Sequence, residues 1–272
     1  MRSSYDVDDP EKIQGRDDIE LGKRNLATTR LERGLRALSG VQGSVLILGA
    51  GAGRYPRAIS RHRPDLLVVA GDISHRAVAE ADARRGKVSY LVMDAQRLPF
   101  VEESFNAVVF FDLLEHVPDP DQLLRECARV LSPGGLLHFY VPLEDEPMTL
   151  YRLFKRDTPV PIHQWKREHV GHIQRFTRRD VVRRVWDAGL EVSLAESSFH
   201  LVGQVHDIVD YWQRERRAGG HGIVPLRGVD LVARATFLVT WRLSWAEDRV
   251  LHTALCASGL HITAHKPAEL DV

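Results

Sequence analysis

The 272-residue sequence predicts an α/β fold, a mostly parallel sheet with helices on both faces. Three observations predict it. The stretch "LILGAGAGRY" sets three glycines at alternate positions directly behind the apolar run Val45 to Leu48, as where a strand buried on both faces turns into a helix. From residue 41 to 142 strand patterns alternate with helix patterns, which implies parallel strands joined by helical crossovers. Acids also recur at the length of one strand-helix unit: Asp72 lies 23 residues after Gly49, Asp94 a further 22 and Asp112 a further 18.

Residues 1–40 are charged and end in a helical pattern, with Leu26, Leu31, Leu35 and Leu38 on one side, so they read as an N-terminal helical segment. Strands are expected near 44–48, 66–70, 88–92, 107–111 and 136–141, with helices near 55–63, 75–85 and 120–131. Asp119 can cap the last of these, Pro120 suits its first turn, and Pro133-Gly134-Gly135 is expected to stop it. A long connection mixing proline, histidine and charge follows Pro142, either a functional loop or a region with short helices of its own. A helix at 177–188 closed by Gly189 leads to a strand at 190–195. Residues 201–258 form a helical insertion or lid, and 259–272 hold the last strand and tail. The core therefore spans 41–200.

Thirty-seven basic residues balance thirty-seven acidic ones, so no global basic field advertises nucleic acid. Two cysteines, Cys127 and Cys256, are too few for a disulfide framework and are expected as reduced thiols. No apolar run approaches the roughly 18 to 20 residues of a spanning helix. The polar start "MRSSYDVDDPEK" lacks the apolar core of a signal peptide. A cytoplasmic location is the expectation.

The spacing of the three acids puts each just beyond the carboxyl end of a successive parallel strand. They should converge on one rim, where open α/β sheets bind ligands. Asp72 can accept hydrogen bonds from ribose hydroxyls, and Asp94 from an exocyclic amine. The glycine loop lacks the Lys-Ser/Thr pair of a phosphate loop, and its third glycine does not fall where a dinucleotide loop has it. Three acids at one edge, together with the glycine turn, point toward a nucleoside site.

"VLILGAGAGRY", "VVAGDIS", "MDAQRLPFVEESFNAVVFFDLLEHVPDPDQLLRECARVLSPGGLLHFYVP" and "GHIQRFTRRDVVRRVWDAGLEV" resemble, in order and at the family's spacing, the motifs of class I S-adenosylmethionine-dependent methyltransferases acting on small molecules. The resemblance implies a Rossmann-like, seven-stranded, mostly parallel sheet whose last strand is antiparallel, with S-adenosyl-L-methionine as cofactor. It implies that Gly49, Gly51 and Gly53 form the loop at the methionine end, that Asp72 with Ile73 meets the ribose, and that Asp94 with Ala95 meets the adenine. Phe111 and Asp112 follow at the edge of the methyl-transfer cavity. One departure stands out: the family usually has an acid two positions before the first glycine, and this chain has Ile47. Arg24 or Tyr5 of the N-terminal segment is expected to compensate.

A hydroxyl acceptor profits from a base, by about 10² to 10⁴-fold. His116 in "DLLEHV" is the best placed, with Glu115 as orienting partner. His163, His169 and His172 can roof the pocket, and His172 is the second candidate for proton transfer. No metal is expected, because the histidine spacing matches no metal signature, and Glu144, Asp145 and Glu146 read as a solvated acidic loop. The Asp/Asn-Pro-Pro-aromatic tetrapeptide of many base or amide N-methyltransferases is absent.

The insertion carries two apolar stripes at helical spacing. One is Val232, Ala235, Val239, Leu243, Ala246 and Val250, fit to pack on the domain core. The other is Phe237, Trp241 and Trp245. Plain packing beneath 204–215 is the first reading of the second stripe; among functional readings a hydrophobic acceptor pocket comes first, ahead of a homodimer contact or a peripheral membrane contact. Together these readings give an enzyme that methylates a small apolar or ring-bearing acceptor, favouring oxygen. The alternatives are a non-catalytic, partner-binding member of the fold and a nicotinamide-dependent oxidoreductase.

Overall fold

The computed structural model describes residues 8–9, 13–84, 86–154, 156, 160–220, 222–251 and 256–268. Its centre is a seven-stranded sheet in the order β3-β2-β1-β4-β5-β7-β6. The strands are β1 (Ser44–Leu48), β2 (Leu67–Asp72), β3 (Val88–Val92), β4 (Phe105–Phe111), β5 (Leu131–Pro142), β6 (Glu191–Ser198) and β7 (Gly259–His265). The first five are parallel, and β7 runs antiparallel between β5 and β6.

Around the sheet lie α1 (Leu26–Ala37), α2 (Arg54–His62), α3 (His75–Asp82), α4 (Pro120–Val130), α5 (Leu150–Leu153), α6 (Ile162–Val170), α7 (Arg178–Asp187), α8 (Leu201–Arg217) and α9 (Leu226–Val250). The apolar run of β1 has a direct cause. Val45 and Ile47 face one helical layer with Leu31, Leu38 and Ile59, while Leu46 and Leu48 face the other with Leu123, Leu124, Cys127 and Val181. All four are buried, as a strand covered on both faces requires. Both cysteines are free thiols.

Topology positions the site. Leu48 is level with Gly71 of β2 and with Phe110 of β4, and Asp72 is level with Val92 of β3. Gly49, Asp72, Asp94 and Asp112 therefore share one rim, as their spacing predicts. The chain leaves β1 toward β2 and β3 on one side and returns to β4 on the other, so the glycine loop opens into the crevice at the point of reversal.

One local expectation is corrected, and the choice left open for the long connection is decided in favour of short helices. α4 stops at Val130, and Leu131 is already extended, so Pro133-Gly134-Gly135 does not end the helix. It lies in an irregular stretch of β5, where pairing with β4 shifts between Phe105 and Ala107. The connection after Pro142 carries two helices, α5 and α6.

The reading of α9 also changes. Its buried positions are Val229, Ala233, Thr240, Ser244 and Asp248, a face of small and polar side chains turned to α8. Asp248 accepts from His200 Nδ1 at 2.8 Å, and Asp230 accepts from Gln213 Nε2 at 2.7 Å. A Cβ at Gly203 would stand 2.9 Å from Ser244 Oγ, so the two helices approach closely at that point. The stripe Val232, Val239, Leu243 and Val250 is exposed instead of packed on the core. Phe237 and Trp241 lie against the His206 ring, and Trp245 lies beneath Arg24 and Arg249.

Candidate active site

The glycine loop is shaped by left-handed backbone and by a strap of the N-terminal segment. Gly49, Gly51 and Gly53 have φ of 64°, 51° and 88°, a region costly for residues with a Cβ. The Gly51 amide donates to Asp72 Oδ2 at 2.8 Å, and the Ala52 amide donates to the Gln14 carbonyl at 2.8 Å. Asp72 Oδ1 accepts from the Ser74 amide at 3.0 Å. A carboxylate offers about four acceptor sites, so Asp72 braces the loop and keeps capacity for hydroxyl donors. Burial raises its pKa against the pull of these amides. Along the same rim Ile73 is 53% exposed, and Asp94 Oδ1 accepts from the Gln96 amide at 2.9 Å.

Behind the loop lies a chamber of about 370 Å³. Its lining includes Gly49 to Gly51, Arg54, Tyr55, Phe111, Asp112, His116 and Tyr140, together with Tyr151, Lys166, His172, Phe199 and Tyr211. Tyr55 packs on Phe111 with centroids 4.3 Å apart. Arg30, from α1, lies over the Tyr140 ring and 2.9 Å from Asp112 Oδ2. Arg54 Nε is buried without a hydrogen-bond partner.

The sequence reading missed Arg30, Arg54, Tyr151, Lys166 and Tyr211. Arg54 had a visible signal, since it follows the third glycine and opens α2. The others reach the chamber from separate elements. Phe237, Trp241 and Trp245 do not line it, which corrects their assignment as an acceptor wall. Arg24 lies over Trp245 and not at the glycine loop, and Tyr5 falls outside the described residues.

A buried polar cluster closes the far end. Glu144 is no solvated loop residue: it is buried, and its oxygens face His172 Nδ1 at 2.6 Å, His163 Nδ1 at 3.2 Å and Lys166 Nζ at 3.3 Å. Lys166 also pairs with Asp207 at 2.9 Å, and Asp207 accepts from the Tyr151 hydroxyl at 2.5 Å. Burial alone would raise the Glu144 pKa, but Lys166 and His172 outweigh it and hold it well below the ordinary carboxylate range. Burial likewise opposes the charge of Lys166, and Asp207 and Glu144 overcome it. The network ties α6 and α8 to the end of β5. Asp145 pairs with Arg152, and Glu146 accepts from the Arg178 amide.

Glu115 and His116 sit in a short turn after β4. Glu115 does not orient His116 by a hydrogen bond, because its Oε1 is 3.8 Å from His116 Nε2. The Gly171 carbonyl does so, accepting from Nδ1 at 3.2 Å. Burial and the neighbouring His172 lower His116 to about 3. Burial pushes Glu115 up to about 8. His172, also in the chamber wall, is raised because Glu144 outweighs its burial.

Residues 46–139 match the model of the methyltransferase domain. That segment is a methyltransferase domain. Two curated relatives of the methyltransferase domain are a ubiquinone/menaquinone biosynthesis C-methyltransferase of Desulfotalea psychrophila, 40% identical over 95 residues, and a ubiquinone biosynthesis O-methyltransferase of Coxiella burnetii, 30% identical over 99 residues. The alignments cover 34% and 35% of this chain, and 39% and 42% of those relatives. The chain thus spans about two fifths of their length. Among solved structures, phosphoethanolamine N-methyltransferase 2 of Haemonchus contortus in complex with S-adenosyl-L-methionine shares the fold. Its TM-score is 0.57 at 19% identity, covering 88% of this chain and 52% of that one. Around the methyltransferase domain, no helix among the described residues is long and apolar enough to cross a membrane.

Proposed function

We propose that this protein is an enzyme that transfers a methyl group from S-adenosyl-L-methionine to an oxygen of a small, ring-bearing acceptor. The observation that carries the reading is that the glycine loop forms one wall of a chamber lined by aromatic rings. The loop has no Cβ at the positions where a ligand lies against backbone, as a nucleoside cradle needs. Gly49, Gly51 and Gly53 hold the methionine end, Asp72 and Ile73 the ribose, and Asp94 with Ala95 the adenine. Ile47 lies in the core facing α1 and α2, so it supplies no anchor. The unpartnered Arg54 Nε, at the start of α2, suits the cofactor's carboxylate, where helix polarity also favours an anion.

When bound, the cofactor supplies an activated methyl group, and the remaining work is alignment, worth up to roughly 7 to 11 kcal/mol. Tyr55, Phe111, Tyr140 and Tyr151 favour a flat acceptor. His116 and His172, which line the chamber, meet its hydroxyl, with the buried Glu115 3.8 Å from both Nε2 atoms. α6 and α8 act as the lid that keeps water out, held down by Lys166.

Calorimetry with S-adenosyl-L-methionine, followed by transfer of labelled methyl into a panel of phenols, tests the reading. Absence of heat with folded protein, or tight binding of NAD instead, would remove it. Asp72→Ala should weaken cofactor binding by about one to two decades, since a hydrogen bond to a charged group is worth about 1.5 to 3 kcal/mol. The measurement is the dissociation constant by titration, and an unchanged value would contradict the ribose assignment.

Trp241→Ala separates this chamber from the α9 stripe. Trp241 is 45% exposed and outside the chamber. Cofactor affinity and acceptor KM should both stay within about twofold of wild type, because substitutions away from such features usually fall within ±0.5 kcal/mol. A tenfold rise in KM alone would return the acceptor to that stripe.

A further inference from the structure

We propose that Glu115, His116 and His172 bind one divalent transition-metal ion of the Zn²⁺ class in the wall of the chamber. The site itself stands on geometry, whereas any role for it in methyl transfer rests on the proposed function. One ligand atom from each residue lies within 4.8 Å of the others. Glu115 Oε1 is 3.8 Å from His116 Nε2 and 3.8 Å from His172 Nε2. Two ligand atoms about 2.1 Å from one tetrahedral ion stand about 3.4 Å apart. The two glutamate–histidine spans therefore need to close by about 0.4 Å, and the histidine–histidine span, at most 4.8 Å, by no more than about 1.4 Å.

The hydrogen bonds around the three residues favour an ion over a self-contained polar cluster. Glu115 is fully buried, and neither carboxylate oxygen receives a hydrogen bond from another residue. A carboxyl left so is costly unless something positive meets it. Each imidazole has its other nitrogen engaged. His116 Nδ1 donates to the Gly171 carbonyl, and His172 Nδ1 donates to the Glu144 carboxylate. Since both partners are acceptors, Nδ1 must carry the proton, and the Nε2 lone pairs are left for a cation. Such second contacts are what orient metal-binding histidines.

Neighbouring charge is compatible. Lys166 is already paired with Glu144 and Asp207, and Arg30 with Asp112. Two histidines and one carboxylate leave a coordination position open, as in catalytic zinc sites rather than closed structural ones. His116 and His172 line the chamber, so that position faces the acceptor. A hydroxyl bound there would release its proton to water more readily, and its oxygen would form the new C–O bond as the methyl–sulfur bond of the donor breaks.

The test is titration of chelator-stripped protein with Co²⁺, followed by visible absorption and by metal counting after dialysis. The expected result is one Co²⁺ per chain with the ligand-field bands of low coordination number, displaced by Zn²⁺. Glu115→Gln and His172→Gln should each weaken binding by about 100-fold or more, and Glu144→Gln by about 10 to 100-fold. If Glu115→Gln does not fold, His116→Ala, in the chamber wall, carries the same expectation. Failure to retain one Co²⁺, or retention unchanged in both His116→Ala and His172→Gln, overturns the site. S-adenosyl-L-methionine titrated into the same samples keeps the two readings apart: no heat while Co²⁺ binds removes methyl transfer and leaves the ion.

Discussion

Lys166→Met is expected to cost about 3 to 5 kcal/mol of stability, the range found when one member of a buried ion pair is removed. Lys166 is buried between Glu144 at 3.3 Å and Asp207 at 2.9 Å, and its ammonium lies over the Tyr151 ring at 4.0 Å. Methionine keeps the volume of the stem and deletes the charge. Glu144 would retain its histidine contacts and Asp207 its tyrosine hydroxyl, but a buried carboxylate and a partly buried one would face each other across an apolar chain. The loss falls where α6 meets α8, so faster proteolysis between these helices should accompany a lower urea midpoint. Asp207→Asn in the same chain should restore part of the loss by removing one uncompensated charge. A drop below about 1 kcal/mol in the single variant would mean that water or rearrangement screens the network, in the manner of surface pairs.

Gly51→Ala is expected to weaken S-adenosyl-L-methionine binding by two decades or more while the protein stays folded. Two costs combine at this position. The backbone has φ of 51°, where a Cβ costs roughly 1 to 2 kcal/mol. The new methyl would also stand 2.6 Å from the Gln14 carbonyl oxygen, which is backbone and cannot rotate away. The strap must lift or the loop must turn. Lifting breaks the Ala52-to-Gln14 hydrogen bond, and turning breaks the bond from the Gly51 amide to Asp72. Either movement disturbs the cradle proposed for the cofactor. Calorimetry with a thermal melt on the same sample separates this from unfolding. Near wild-type affinity would place the cofactor away from Gly51.

The rim of acids and the glycine loop were legible because the cause is local and periodic. A strand buried on both faces must be apolar throughout, a crossover has a nearly constant length, and a tight turn into a helix needs glycine. Those rules alone put Gly49, Asp72, Asp94 and Asp112 at one edge. The same rules misjudged α9. Hydrophobic periodicity assumes that the buried face is the apolar one, whereas this helix buries Thr240, Ser244 and Asp248 against α8, where Thr240 meets His206, Ser244 faces Gly203 and Asp248 accepts from His200 at the start of that helix.

The sequence by itself determined the sheet, its helical layers and the crevice at the point where strand order reverses. Only the tertiary structure decided what fills the far end of that crevice. Glu144, Lys166, His172 and Asp207 lie on four separate elements or connections, and of these only His172 reads in the sequence as a pocket residue. Their convergence depends on β7 entering antiparallel between β5 and β6, and on α6 and α8 folding back over the chamber. Long-range pairing of this kind leaves no period in the chain. A buried charge is tolerated only where its partners already stand, so the meaning of these residues is set by packing and not by their order.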